Sequence, residues 1–460
     1  MEAITLSHVR IPSINIGGIC LPGIGAPGSI GKKGLVWPTG MKEHIKAWYD
    51  PKKQGITNFD VIESYTEDFT TWRYLDSRGI ATITGNTIHI TEAKSIQGIV
   101  EDNKEPYSDI KILVQGATAD NPLNVRDING TKAVIDKDGV YEFKDNGLYF
   151  GFGFSKVGVV DVTITQLPTS ILKDLSGNGN HAYLYGGKGK LNSGMGVYKQ
   201  DYTTYKNDGN TNVEDVKPDT FVLLAGNLSR LGMPYKDIVG ENIPAYKINV
   251  TGITDGTVTY FYRNEDGKQL QYVIKSDGEY ELPTCYKEGT EGTAVNIVAN
   301  NNSNKITITQ IPDYPDQLCY DGKMYAVCYG FPILTDYTVM ADRTWFENEG
   351  NRVFITKGNI WPNCAFVFEK INASLGSETF SFSKSTNIDD LIGKSGITYQ
   401  TKQSYNGKII GVGTSSDGDI LLIGGQLKGE YIGCHGKIII ADCSFTEDEI
   451  TWLKDNWKKI

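Results

Sequence analysis

Histidine is scarce in this chain of 460 residues: His8, His44, His89, His181 and His435 are the five present, and no two stand in an H-x-x-x-H pattern. Nothing in that spacing points to a zinc or iron centre. Basic clusters are also missing. Lys and Arg total 45 against 55 Asp and Glu, a formal charge of −10, whereas a nucleic-acid surface needs grouped cations to neutralise phosphate. The acidic balance reads as solubility. No apolar run approaches the length of a membrane span, and Met1–His8 has neither the basic nor the apolar region of a secretory leader. Membrane insertion is not expected, and the chain reads as the product of a reducing cytoplasm. Its seven cysteines are odd in number and include no C-x-x-C, which argues against a disulfide framework or a zinc knuckle. Cys319 and Cys328, like Cys434 and Cys443, stand nine residues apart, a spacing expected to bring each pair close on strands. Buried free thiols are the reading for these and for Cys20, Cys285 and Cys364.

Catalytic signatures are equally thin. There is no Gly-x-Ser-x-Gly elbow and no Glu-x-Asp-x-x-Glu strand that would set two carboxylates on one face. Glu447-Asp448-Glu449 reads as an acidic helix start. Gly23-Ile-Gly-Ala-Pro-Gly28 matches a dinucleotide fingerprint in letters only, since no strand–helix context surrounds it and a proline interrupts it. The expectation is a protein without enzymatic activity, with no catalytic residue to name.

What the chain has is glycine (52) and tyrosine (26), and short Thr/Ile/Val/Tyr runs broken by Gly, Asn and Asp. That is the pattern of β-sandwiches or barrels. The length implies about three domains. An internal repeat shows two of them. Lys111-Ile-Leu-Val-Gln-Gly116 matches Lys247-Ile-Asn-Val-Thr-Gly252. Val134-Ile-Asp-Lys-Asp-Gly-Val-Tyr-Glu-Phe143 matches Val273-Ile-Lys-Ser-Asp-Gly-Glu-Tyr-Glu-Leu282, and Val162-Thr-Ile-Thr-Gln-Leu-Pro168 matches Ile306-Thr-Ile-Thr-Gln-Ile-Pro312. Three matches in one order define two homologous β-sandwich modules, placed at 76–168 and 226–312. Asp138-Gly139 and Asp277-Gly278 read as hairpin turns.

The remaining segments carry a resemblance. Asp174-Leu-Ser-Gly-Asn-Gly-Asn-His-Ala-Tyr-Leu-Tyr-Gly186 is a polar turn running into a strand, and Ile45-Lys-Ala-Trp-Tyr-Asp50 is a strand ended by Asp-Pro. Both resemble signature elements of laminin G-like, concanavalin A-like jelly rolls. The Leu318–Cys328 hairpin and the capped helix from Ser444 or Thr446 to Trp457 are similar to that family's too. The implied architecture is an all-β jelly-roll sandwich over 41–75, 169–225 and 313–460, with the two modules inserted. Residues 1–40, apolar and rich in Gly and Pro, form an extended N-terminal arm for assembly or anchoring. The overall build resembles virion appendage proteins of crAss-like phages of Bacteroidales.

Three readings of function follow. The first is a structural virion protein made in the host cytoplasm. It would act as a head or tail appendage or fibre, self-associate and bind other virion proteins through its arm, and display a jelly roll to host-surface glycan. The second is a bacterial carbohydrate-binding surface protein, and the third a polysaccharide-degrading enzyme with unrecognised carboxylates. Jelly rolls of this kind often hold calcium, which would fall to Asp174, Asn178 and Asn180, with Asp321 a further contributor. The alternative for these oxygens is a turn bonded to its own backbone. No other cofactor is implied. Tyr183, Tyr185, Tyr198, Tyr202, Tyr205 and Trp361 are the aromatics that would stack on a sugar if exposed, and core residues if buried. The ligand-binding residues are otherwise unassigned.

Overall fold

The structure is a computed structural model. It describes residues 35–56, 63–72, 81–93, 106–127, 129–186, 199–206, 209–287, 294–346, 353–360, 363–369, 372–375, 378–381, 396–402, 404–405, 408–409, 418–425 and 431–460, with short strands at 14–16, 19–21 and 194–197. Residues 45–444 form one compact unit, and residues 1–44 with 445–460 form another. The chain is all-β, as its composition implies, and its sheets are antiparallel. Among the described residues no helix is long and apolar enough to cross a membrane.

Within the larger unit, two eight-stranded sheets make the main sandwich. One runs in the order Ile171–Leu172, Ala182–Tyr185, Tyr325–Tyr329, Ile420–Ile423, Val353–Ile360, Asn363–Glu369, Asn372–Leu375, Glu378–Ser381. The other is built on Ile432–Ala441, which pairs with Ile45–Tyr49, Asp313–Asp321 and Thr338–Trp345. Alternation in each strand sends Ala47, Tyr49, Leu318, Tyr320, Val339, Ala341, Ile438 and Ile440 into one core with Ala326, Phe354 and Ile423 from the facing sheet. The run Gly436–Ala441 is buried along its whole length, Lys437 included. Cys319 and Cys328 lie in different sheets, so their spacing does not pair them. Cys319 instead stands directly opposite Cys434.

The two inserted modules share one topology. A five-stranded sheet has the order Ala81–Ile83, Thr87–Ala93, Gly158–Gln166, Ile110–Gln115, Gly139–Phe143 in the first, and Val213–Glu214, Thr220–Leu223, Ile306–Ile311, Tyr246–Thr251, Gly278–Leu282 in the second. Each faces a smaller sheet, and each module has its own core. The first core begins at Phe69 and Trp72, the second at Tyr202 and Tyr205. Both modules therefore start earlier than 76 and 226, because these aromatics fill the sandwich from its open end. The sequence holds the signal: Tyr65-Thr-Glu-Asp-Phe-Thr-Thr-Trp72 parallels Tyr198-Lys-Gln-Asp-Tyr-Thr-Thr-Tyr205. Each copy forms a short helical turn whose Asp (Asp68, Asp201) caps it.

The Asp-Gly pairs are not hairpin turns. Gly130–Ile135 and Gly139–Phe143 belong to different sheets, and so do Gln269–Ile274 and Gly278–Leu282. Asp138 and Asp277 make a corner between the layers by accepting the backbone N–H of Gly116 and of Gly252. Those glycines are required, since a Cβ would lie 1.9 Å from the Asp161 carbonyl at Gly116 and 2.2 Å from that of Lys305 at Gly252.

The repeated glutamine of Thr-Ile-Thr-Gln closes each module. Gln166 Oε1 accepts from Thr66 N at 3.1 Å and Glu67 N at 3.0 Å, while its Nε2 donates to Glu67 O at 2.7 Å. Gln310 accepts from Lys199 N at 2.7 Å and Gln200 N at 3.0 Å, and donates to Gln200 O at 2.9 Å. One side chain thus fastens the segment where the chain enters a module to the strand by which it leaves.

In the smaller unit, Ile14–Ile16 pairs with Ile19–Leu21 as a hairpin; the rest of the expected arm up to residue 34 lies outside the described residues. The helix Glu447–Asn456 starts at Thr446 with a complete capping box to Glu449. It groups with residues 1–44 rather than with the main sandwich, and Trp452 packs on Trp37 at 4.9 Å between ring centroids.

Candidate functional site

The turn expected to bind calcium is bonded throughout to its own neighbourhood. Asp174 Oδ1 accepts from Trp48 N and Ser176 N, both at 2.9 Å, and Oδ2 from Ser176 Oγ at 2.8 Å and Asn180 N at 3.0 Å. Asn178 and Asn180 turn their Nδ2 groups onto the carbonyls of Ile45 and Lys46. The three residues do come together, but four N–H and O–H donors already occupy the buried Asp174 carboxylate. This is the bonding of a structural clamp that holds the strand Ile45–Tyr49. Asp321 caps its own turn by accepting from Lys323 N and Met324 N.

Four of the aromatics proposed for sugar stacking are buried. Tyr202 and Tyr205 belong to the second module's core. Tyr183 and Tyr185 lie on the outer face of the main sandwich, where Tyr325 and Tyr329 join them and Leu113 and Val140 of the first module cover them. Tyr185 and Tyr325 stack at 5.1 Å between centroids. These rings glue an inserted module to its host. Tyr198 and Trp361 lie outside the described residues.

A cleft that the sequence did not flag opens beside this junction. It measures about 630 Å³ and is lined by residues 63–68 with Gly85 and Asn86. Its floor is a network. Tyr65 Oη donates to Glu63 Oε1 and accepts from Asn86 Nδ2 at 3.0 Å, and Glu63 Oε2 accepts from Gly186 N at 2.9 Å. Burial and the Glu63 carboxylate raise the Tyr65 phenol well above its usual pKa, which keeps it a hydroxyl. Glu67 accepts from Ser108 N at 2.9 Å through Oε1. Asp68 Oδ1 accepts from the Thr70 hydroxyl and backbone, which lowers its pKa. The cleft therefore presents carboxylate acceptors, an amide and a half-buried phenol ring on one surface.

The internal repeat separates scaffold from site. Tyr65 and Asp68 have counterparts in Tyr198 and Asp201, and Asn86 corresponds to Asp219, each bonding through its carbonyl to the clamp glutamine's N–H. Glu63 and Glu67 have no acidic counterpart, the second being replaced by Gln200. Glu63, Glu67 and Asn86 thus give the first module's cleft a character the second module does not share. Positions that differ between duplicated modules were the available signal for this site.

No family model matches the chain, and no curated protein matches it. Among solved structures it is similar to a Trypanosoma rangeli sialidase in complex with sialic acid, at 10% identity over 84% of each chain with a TM-score of 0.25. It is also similar to the CBM22-1–CBM22-2 tandem domain of Paenibacillus barcinonensis Xyn10C, at 7% identity over 53% of this chain and 96% of that one, TM-score 0.15. A third likeness, to the Sulfolobus Turreted Icosahedral Virus structure, has 9% identity over 89% of this chain and 100% of that one, TM-score 0.12. At such scores none of these bears on function.

Proposed function

We propose that this chain is a non-enzymatic structural protein of a phage virion, an appendage of head or tail, that recognises host-surface glycan through the cleft of residues 63–68, 85 and 86. The cleft's acceptor-rich floor carries the glycan part of the reading. Sugar hydroxyls are donors in need of fixed acceptors, and Glu67, Asp68 and Asn86 stand around a tyrosine that offers an apolar face. The virion part rests on fold analogy: the opening strand and the Asp174–Gly186 turn resemble laminin G-like jelly rolls, and a Gly/Pro-rich arm precedes them. Calcium has no part in this reading.

Two measurements test it. A glycan array probed with the purified chain, and with E67Q and Y65A variants, is expected to return polar glycans whose signal both variants reduce at least tenfold. Equal signal from all three proteins excludes the cleft. The solution mass of the full chain, beside a chain lacking residues 1–40, is expected to fall from oligomer to folded monomer. Monomers in both cases exclude self-association through the arm.

A further inference from the structure

Cys319 and Cys434 occupy one cross-strand position of the main sandwich. Cys319 lies on Asp313–Asp321 and Cys434 on Ile432–Ala441, and the register places them opposite each other. Both are free thiols with no exposed surface. Directly opposed residues of antiparallel strands have Cβ atoms about 4.5–5.5 Å apart, at the edge of the separation a disulfide spans. The neighbouring Cys319 thiol helps to raise the Cys434 pKa. Cys434 Sγ also donates to Gln317 Oε1 at 2.8 Å, and Cys319 Sγ approaches the Gln317 carbonyl at 3.8 Å. Gln317 therefore neighbours both sulfurs, one through its side chain and the other through its backbone carbonyl.

We infer that Cys319 and Cys434 are a redox-dependent staple, closing to a disulfide that joins the strand leaving the second module to the central strand of the sheet. The oxidant is a small disulfide of the oxidised-glutathione class. One thiolate attacks it to form a mixed disulfide and release one thiol. The second thiolate then attacks the protein sulfur of that mixed disulfide and releases the second thiol. Two protein S–H bonds are lost, one S–S bond forms, and the oxidant takes up two electrons and two protons. Burial holds the Cys434 thiol far above its ordinary pKa, so closure in the folded chain is slow. It proceeds while the strands assemble or open locally. The closed bond spans residues 319 to 434, so it restrains a long stretch of the unfolded chain.

The test uses the full chain, refolded with oxidised glutathione or kept under a phosphine reductant, then denatured in an alkylating reagent. Reduced protein is expected to take up seven alkyl groups, one for each cysteine, and oxidised protein about two fewer. Non-reducing peptide mapping should recover one linked pair, Cys319 with Cys434. The oxidised form should melt about 5 °C or more above the reduced form. C319S and C434S should abolish the linked peptide, and C328S should leave it intact. Seven alkylated thiols in both states, or a linked peptide joining Cys328 or Cys443 instead, overturns the inference. The wild-type peptide map decides the matter even if a serine variant does not fold.

Discussion

The glutamine clamp gives the sharpest stability prediction. Gln310→Ala removes three hydrogen bonds, to Lys199 N, Gln200 N and Gln200 O, from a side chain that is 1% exposed. At about 1 kcal/mol net for each bond, the loss is about 3 kcal/mol. The Gln200 amide and carbonyl, left buried without partners, raise it toward 5 kcal/mol, on the order of their desolvation cost. A chain of several sandwiches does not unfold in one step, so a global melting curve dilutes the effect. Hydrogen exchange read by mass spectrometry on peptides covering 199–206 resolves it. A deficit of about 3 to 5 kcal/mol accelerates exchange there by roughly a hundredfold or more. The first module has its own core and its own clamp at Gln166, so peptides covering 66–72 should keep their wild-type rates. Unchanged exchange at 199–206, or equal acceleration in both modules, would show that the clamp does not close the module.

Two further expectations follow from the same geometry. Gly252→Ala should cost about 2 kcal/mol or more, because its Cβ would sit 2.2 Å from the Lys305 carbonyl at a φ of +102°. Gly240→Ala, at +81° with nothing within 4 Å, should cost only about 1 kcal/mol from strain alone; equal acceleration of hydrogen exchange in second-module peptides would refute the steric argument. Burial pushes His435 down to about 4, with Nδ1–H donating to Gly436 O and Nε2 accepting from Tyr320 Oη. Because the folded state depresses this pKa, the neutral ring's stabilisation is full above about pH 6.5 and declines as pH falls to about 4, a loss of about 3 kcal/mol. Denaturant midpoints for wild type and His435→Gln across that range should show the wild type falling more steeply, and parallel slopes would exclude His435 as the cause.

Much of this fold was legible because its signals are local or repeated. Short Thr/Ile/Val/Tyr runs broken by Gly, Asn and Asp marked the chain as all-β, and Thr446 followed by Glu447-Asp448-Glu449 marked the helix start. The repeats Lys-Ile, Val-Ile and Thr-Ile-Thr-Gln announce two modules from the sequence itself. Three features were not legible, each for a long-range reason. Asp138-Gly139 has the letters of a hairpin, yet it turns a corner between sheets, since Asp138 finds its partner 22 residues back at Gly116. The modules' starts were missed because Phe69 and Tyr202 look like loop aromatics until a sandwich closes over them, although the repeat of Tyr65–Trp72 in Tyr198–Tyr205 carries their signal. The cleft escaped notice because Glu63, Tyr65 and Asn86 converge only after the chain passes through the module, and Gly186 lies 123 residues from the carboxylate it meets.

The pairing of the first and last strands of the larger unit has a mechanical consequence. Ile45 stands opposite Ala441 and Tyr49 opposite Ile438, so the two ends leave the body side by side. Tension applied to those ends peels this pair apart one hydrogen bond at a time, as a zipper opens from its tab. Both inserted modules lie along the chain beyond that zipper. The larger unit, pulled at its two ends, would therefore yield first at its main sandwich, and the inserted modules would bear no load until those strands had parted.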